Sequence, residues 1–354
     1  MKYRWFSDDH RDIRDFQECF EAEGTFKSEQ HLQWQYIKSA RGYPPLAALG
    51  VVDDGEREPE ITAIYAVFLV RFLVNGEKVL GAQSLDTLTV AKFRGQGLFN
   101  KLAKIVYSRA EEVGVQLIYG FPNKNSAPGF FGKLGWTRFG EVPFLIKPLR
   151  LSYFLERLPV VGRGLSKVLR YNIHRAVPRR TNLRILWDVP YAEQYDRLWQ
   201  MFSQNVGVAV DRDAQYMRWR LTDNPTHSYR NVAAFDESDE MVAICIYSIQ
   251  KKHGGVIAYL MDLIYLPGHS NAAEDVLGLV GDCVTEAGCD AVLCWCLPHS
   301  NNYALFLGNG FRAFPPRLRP IELNFGARAL SDRYSGTVSS ADAWYMSYLD
   351  SDTV

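Results

Sequence analysis

Long apolar runs are missing from this chain of 354 residues. The longest, such as 61–70, falls well short of the roughly 20 residues that a membrane-spanning helix needs. The opening MKYRWFSDDH lacks the apolar core of a signal peptide, so a cytoplasmic protein without stable membrane insertion is expected. An excess of one charge is missing too: 40 Lys and Arg face 40 Asp and Glu. Neutralising a phosphate backbone takes a basic excess, so no nucleic-acid partner is expected. Cysteine is sparse. Cys19, Cys245, Cys283, Cys289, Cys294 and Cys296 form no CxxC pair, and no four ligands stand at zinc spacing. Cys294 and Cys296 alternate along an expected strand, 291–297. Reduced core thiols and no metal are the reading.

What is present suits a soluble globular chain: 47% hydrophobic and 23% charged residues, and a length comfortable for two domains. Short helices are expected over 14–23 and 29–39. Strands are expected over 46–52, 61–74 and 78–90, parted by Asp53-Asp54-Gly55 and by Asn75-Gly76, a strong hairpin signal. From Leu98 to Val113 apolar residues recur on one helical face, and Gly114 follows as a C-cap. A strand over 115–121 and a helix ending near Gly135-Trp136 come next.

The stretch 147–184 is basic and broken by Pro159, Gly162, Gly164 and Pro178, which marks a connection. An amphipathic piece, 149–169, reads as a linker helix packed across two domains or as a surface for a membrane or acidic partner. The expected division is 1–148, a basic linker 149–184, and 185–354. The second part repeats the first. Trp34 in HLQWQY matches Trp219 in YMRWRL. Asp86, Pro122 and Asn125 match Asp262, Pro298 and Asn301, all at an offset of 176, as 262 − 86 shows. Gly135-Trp136 matches Gly310-Phe311. A shared offset over several motifs points to internal duplication.

The segment Lys92-Phe93-Arg94-Gly95-Gln96-Gly97 lies between an expected strand and an amphipathic helix. Its glycines allow positive φ, so successive N–H groups can turn into one concavity at the positive end of a helix dipole. That is an anion site suited to a pyrophosphate, with Lys92 and Arg94 at its rim. A dinucleotide fingerprint would need a glycine where Asn100 stands, and a Walker loop would need Gly-Lys-Ser/Thr.

The loop resembles that of the GNAT superfamily of N-acyltransferases, with Lys92, Gly95 and Gly97 on its pattern. The run Asn123 to Trp136 resembles the family's later Asn-x-x-Ala-x-x-x-Tyr-x-x-x-Gly-Phe segment. The phrases GAQSLDTLTV, RGQGLFNKLAK and YGFPNKNSAPGF, with the ending Trp344 to Asp352, are similar to tandem-GNAT sugar N-acyltransferases. That branch acylates the amine of nucleotide-linked 3-amino-3,6-dideoxyhexoses. The resemblance implies an α/β (α+β) fold of two tandem GNAT-like domains, each a mixed twisted sheet flanked by helices. It implies acyl-CoA, acetyl-CoA or 3-hydroxybutyryl-CoA, as co-substrate and a nucleotide sugar as partner. A homodimer is the base-rate expectation for an oligomer.

The cofactor residues implied are Leu88, Val90, Lys92, Arg94, Gly95, Gln96, Gly97, Leu98, Asn123 and Phe131, with a backbone N–H near Leu88 polarising the thioester carbonyl. Asp86 is the first candidate base, against a structural role at a strand bulge. Asn125 and His299 are further catalytic candidates, and helix capping or a surface position is their bland alternative. Trp34, Tyr36 and Tyr119 are candidate substrate contacts, against burial in the core. Two departures from the family stand out. Phe131 occupies the place of the tyrosine that protonates the departing thiolate. In the second half Leu266 to Glu274 has lost Gly-x-Gly and brings in a carboxylate, so a single CoA site is expected, in the first half. Three functions stay open: a nucleotide-sugar N-acyltransferase, a GNAT enzyme for another small amine, and a non-catalytic acyl-CoA-binding regulator.

Overall fold

The computed structural model describes residues 2–53, 55, 59–155, 173, 178–315, 319 and 323–351. Most of the basic connection, including the bulk of 149–169, lies outside the described residues.

Alternating and continuous apolar runs build fifteen strands among the described residues. In chain order they are β1 (Lys2–Trp5), β2 (Leu46–Val52), β3 (Glu60–Val74), β4 (Glu77–Thr89), β5 (Leu117–Gly120), β6 (Thr137–Glu141), β7 (Phe144–Pro148), β8 (Arg184–Trp187), β9 (Val208–Val210), β10 (Arg230–Phe235), β11 (Met241–Lys252), β12 (Gly255–Tyr265), β13 (Ala291–Trp295), β14 (Arg312–Ala313) and β15 (Asn324–Ala329). The strand expected over 46–52 forms with those bounds. The hairpin between β3 and β4 turns on Asn75 at φ 50° and Gly76 at φ 80°. Positive φ at both central residues is the twist-matched geometry for which Asn-Gly is suited.

Two mixed sheets result. The first runs β1-β2-β3-β4-β5-β15-β6, with β9 added to β3; the second runs β14-β7-β13-β12-β11-β10-β8. Helices Leu98–Glu112 and Ser270–Glu286 cover one face of each, and three buried apolar clusters fill the spaces between layers. The fold is thus the expected two-unit mixed α/β arrangement. Sheet membership departs from the boundary expected at 148. β7, before that boundary, pairs with β13 in the second sheet, and β15, late in the chain, pairs with β5 and β6 in the first. The chain changes sheets at residues 142–143, between β6 and β7, so each sheet is completed by a strand from the other half.

The duplication is visible as geometry. Ser28 caps a four-residue α-turn, Glu29–Leu32, which widens into a π-helical segment, Gln33–Ile37. Asp213 caps Ala214–Met217, which widens into Arg218–Thr222. The offset is 185 in each case, from 213 − 28 and 218 − 33. The single α-helix expected over 29–39 is therefore α only in its first turn. Trp34 and Trp219 face each other across this pseudo-dyad, stacked at 4.8 Å and 17°. Each indole N–H donates to the other tryptophan's carbonyl, at 2.9 and 3.1 Å. A π segment widens the turn by one residue, and here that accommodates the indole pair at the meeting of the halves.

All six cysteines are free thiols, five of them buried. Burial pushes Cys19, Cys289 and Cys296 up to about 12, as inert core thiols require. Among the described residues no cluster of His, Cys, Asp and Glu could hold a metal ion, and no helix is long and apolar enough to cross a membrane.

Candidate active site

β4 pairs in parallel with β5 only from Gly81–Leu117 to Ser84–Gly120. Beyond Ser84, β4 continues to Thr89 on the β3 side, while the chain after β5 leans toward β15. There Asn324 N donates to the Pro122 carbonyl at 2.9 Å, and Asn123 bridges to Leu323. The two strands therefore part. A cleft of about 200 Å³ opens between them, lined among others by Ser84, Asp86, Thr87, Phe121, Asn123 and Ser126.

A bulge sharpens the parting. Ile64 faces Leu88 and Ala66 faces Leu85, so Asp86 and Thr87 together oppose Tyr65. Asp86 takes φ 48°, a left-handed conformation that aspartate tolerates better than most residues. Its carboxylate is nearly buried and fully engaged. Lys27 Nζ lies 2.6 Å from Oδ1, and the Tyr36 hydroxyl donates to Oδ2 at 2.8 Å. The second half repeats this device. Asp262, at the bulge of β12, is ion-paired with Arg212 and accepts from the Tyr345 hydroxyl at 2.6 Å. Arg212 corresponds to Lys27, since 212 − 27 is again 185. Sequence reasoning missed both cations, because lysine and arginine share little local pattern and their offset differs from that of the aspartates.

The loop before helix Leu98–Glu112 has the shape that its glycines imply. Gly95 and Gly97 stand at φ 81° and 72°, and Gly97 is the N-cap of the 15-residue helix, without a side-chain cap. A Cβ at either glycine would meet no atom within 4 Å, so conformation and not crowding demands glycine there. Leu98 is buried in the core beneath, so only its backbone faces the loop. Glu23 braces the loop, accepting from Ala91 N at 3.0 Å and pairing with Arg94, while Lys92 pairs with Glu60 at 2.5 Å. Both cations are exposed, so neither pair holds its partner strongly.

The remaining expected residues are placed as follows. Asn123 Oδ1 accepts from Asn125 N at 2.9 Å and Ser126 N at 3.1 Å, which shapes the turn into helix Ala127–Lys133. Asn125 is exposed and outside the cleft lining. His299 lies outside it as well; its Nε2 donates to the Trp344 carbonyl at 2.8 Å, and Asp342 lies 3.5 Å from Nδ1. Tyr36 and Tyr119 are 1% and 2% exposed, which removes them from direct substrate contact. Both serve as internal struts: Tyr36 holds Asp86, and the Tyr119 hydroxyl donates to Gln83 Oε1 at 3.0 Å. Trp34 is 8% exposed because its face is taken by Trp219. Leu88 and Val90 lie on and just past the end of β4, half-buried beside the loop. Phe131 packs against Gly326, where a Cβ would come within 2.5 Å of its ring, and Arg138 lies over it at 5.7 Å. Behind the cleft, Ser84, Tyr65, Tyr107 and Trp136 form a buried hydrogen-bonded chain, with links of 3.1, 2.7 and 2.8 Å. Burial holds Tyr107 up at about 12, so it stays neutral. No local sequence pattern marks this chain, because its four members come from separate parts of the sequence.

Comparison with known proteins agrees with the geometry. Residues 7–139 match the family model described as acetyltransferase (GNAT) domain. No curated protein matches the chain. Among solved structures, N-myristoyltransferase of Saccharomyces cerevisiae with bound myristoyl-CoA aligns over 92% of this chain and 82% of its own, at 11% identity and TM-score 0.61. A GCN5-related N-acetyltransferase of Anabaena variabilis aligns over 93% and 73%, at 14% identity and TM-score 0.62. A probable N-acyltransferase of Enterococcus faecalis aligns over 93% and 72%, at 12% identity and TM-score 0.62. These likenesses extend the GNAT-like fold to the whole chain. The match of residues 7–139 to a GNAT acetyltransferase domain, with N-acyltransferases among the structural neighbours, supports an acyl-CoA-dependent acyltransferase.

Proposed function

We propose that the chain transfers a short acyl group from acyl-CoA to the amine of a nucleotide-linked amino sugar, by direct attack on the thioester. The observation that carries acyl transfer is the conjunction of two features. A positive-φ glycine loop heads a long helix, and beside it β4 and β5 part to leave a cleft lined by the hydroxyls of Ser84, Thr87 and Ser126, by Asp86 and Asn123, and by aromatic rings. The loop's N–H groups and helix dipole suit a pyrophosphate, with Lys92 and Arg94 exchanging Glu60 and Glu23 for phosphate. The nucleotide-sugar acceptor rests on the resemblance of phrases within residues 81–130, and of the ending Trp344 to Asp352, to that branch.

The cleft favours a short acyl group. A cavity of about 150 Å³ holds one benzene, or roughly 25 Å³ per carbon. On that scale a chain of about fourteen carbons needs roughly 350 Å³, more than the whole cleft. The cleft must also hold the thioester itself, which favours acetyl or a four-carbon acyl group. The yeast structural neighbour, by contrast, binds myristoyl-CoA.

With Phe131 in the tyrosine's place, the proton that the attacking nitrogen loses reaches the departing thiolate through water or through the cleft hydroxyls of Ser84 and Ser126. Asp86 acts as a positioning residue, since its oxygens are committed to Lys27 and Tyr36. We assign the single CoA site to the first half. In the second, Glu274 is paired with Arg180 at 2.5 Å, and Asp275 accepts from Arg180 N and Thr181 N, so a neighbouring segment already occupies that helix start.

The test is thiol release from acetyl-, 3-hydroxybutyryl- and myristoyl-CoA with dTDP-linked 3-amino and 4-amino sugars, aminoglycosides and polyamines. Release with a short acyl-CoA and one nucleotide sugar, absent in Gly97→Glu, is expected. Release with a different amine would replace the acceptor. CoA binding without release would favour the regulator reading, to which Phe131 already lends weight.

A further inference from the structure

Where the two π segments meet, a narrow crevice runs beside Trp34 and Trp219. Gln35 and Arg220, one from each segment at the same offset of 185, line it together with His31, His227 and Gln83. Gln83 also lines the cleft between β4 and β5, so the two spaces adjoin at its side chain. Gln83 is held in place there: it accepts from Tyr119 and donates to the Asp350 carbonyl at 2.8 Å.

We propose that this crevice receives the acceptor's attacking amine in its neutral form, with Gln35 Oε1 accepting one of its hydrogens. The inference rests on acyl transfer to an amine at the adjoining cleft. Three observations carry it. Gln35 is 2% exposed, and its Oε1 has no hydrogen-bond partner, a rare state for a buried amide oxygen. The crevice has room of about 20 Å³, enough for one group the size of water, which is also the size of an amino group. The surroundings disfavour a cation. Burial first, then Lys27, with His227 and Arg220 adding to it and Asp86 opposing, holds His31 down at about 4. Burial, Arg220 and Lys252 lower His227 as well. A group that must stay uncharged there is well matched to a nucleophile that reacts only when uncharged.

This arrangement lightens the demand for a base. The amine nitrogen bonds the thioester carbon and the carbon–sulfur bond breaks. The one proton that nitrogen sheds leaves with the thiolate as the free thiol. Selection of the neutral amine replaces removal of a proton by Asp86.

Methylamine, titrated while tryptophan emission is followed, tests this without acyl-CoA or turnover, because Trp34 and Trp219 wall the crevice. A saturable change is expected. Its apparent Kd should fall about tenfold per unit from pH 7 to 9, as the neutral fraction of an amine with a pKa near 10.4 rises. Gln35→Leu should weaken binding at pH 9 by about tenfold. Gln35→Glu, which favours an ammonium, should flatten the pH dependence. Retained CoA binding checks that both variants fold. No saturable change, an affinity independent of pH in the wild type, or unaltered binding in Gln35→Leu would overturn the proposal. Since neither reagent nor readout involves acyl-CoA, the amine site can fail while acyl transfer stands, and the reverse.

Discussion

Removing one partner of the Lys27–Asp86 pair separates a strut from a base. Lys27→Met strips the cation from a carboxylate whose side chain is only 5% exposed and which sits at φ 48° on the bulge. At an effective dielectric constant near 20, a pair of unit charges about 4 Å apart interacts by about 4 kcal/mol. Breaking a buried pair from one side costs about 3–5 kcal/mol. The hydrogen bond from Tyr36 survives and Lys27 is 12% exposed, so about 2–4 kcal/mol is expected for either single change. Asp86→Asn should destabilise in the same range. Its amide keeps an oxygen for Tyr36 but leaves Lys27 without its counter-charge. In the double variant the uncompensated charge disappears, so a coupling of about 2 kcal/mol should appear in urea unfolding. Thiol release in the same four proteins then decides the role. If Asp86 positions the bulge, activity recovers in the double variant together with stability. A double variant as stable as wild type but as inactive as Asp86→Asn, by a hundredfold or more, would make Asp86 the base and refute this assignment.

Other consequences can be checked alongside. Gly97→Ala meets no atom, but φ near 72° costs alanine about 1–2 kcal/mol; the exposed loop should relax in the free protein with little loss of stability, and calorimetric CoA affinity should fall about tenfold as binding restores the conformation. Trp34→Phe and Trp219→Phe each leave a buried carbonyl without its indole donor, which should cost about 1–3 kcal/mol in urea unfolding. His31 titrates at about 4 in the folded chain against 6.5 when unfolded. Between those values the unfolded chain holds the proton and the folded chain does not, so stability rises with pH across that window and His31→Gln should flatten the rise.

The sequence makes legible whatever is decided by local chemistry. Gly95 and Gly97 announce a positive-φ loop, and Asn75-Gly76 announces the hairpin, because few residues tolerate those conformations. The apolar run 46–52 becomes a strand with its expected ends. Partner choice is not local. The strands 144–148 and 324–329 are not among those expected, and no local pattern says that each joins the other half's sheet, which depends on where the chain crosses at 142–143. The π segment is hidden for a similar reason: Gln33 to Ile37 has helical residues, and the extra residue per turn follows from the indole pair across the dyad. The Lys27–Asp86 strut escapes because its two members repeat at different offsets, 185 and 176, so no single alignment of the halves shows both.

The two halves share a split and treat it oppositely. β12 pairs with β13 only as far as Leu260–Cys294, so the second sheet parts as the first does. There the space is filled: Tyr348 stacks on Trp295 at 4.6 Å, Tyr345 bonds Asp262, and Asp350 pairs with Arg212 at 2.6 Å. The filling segment then runs on to the meeting of the halves, where the Asp350 carbonyl accepts from Gln83 of the first half and the Ser351 carbonyl from Arg220 of the second. A segment that plugs one split thereby builds the wall of the crevice beside the other. On the proposed single CoA site, the second half holds a packed core in place of a cavity, and its rigidity is delivered to Gln83, which lines both the crevice and the cleft. On that reading the second half is part of the active architecture, fixing geometry that a free-standing first half would leave to a single sheet edge.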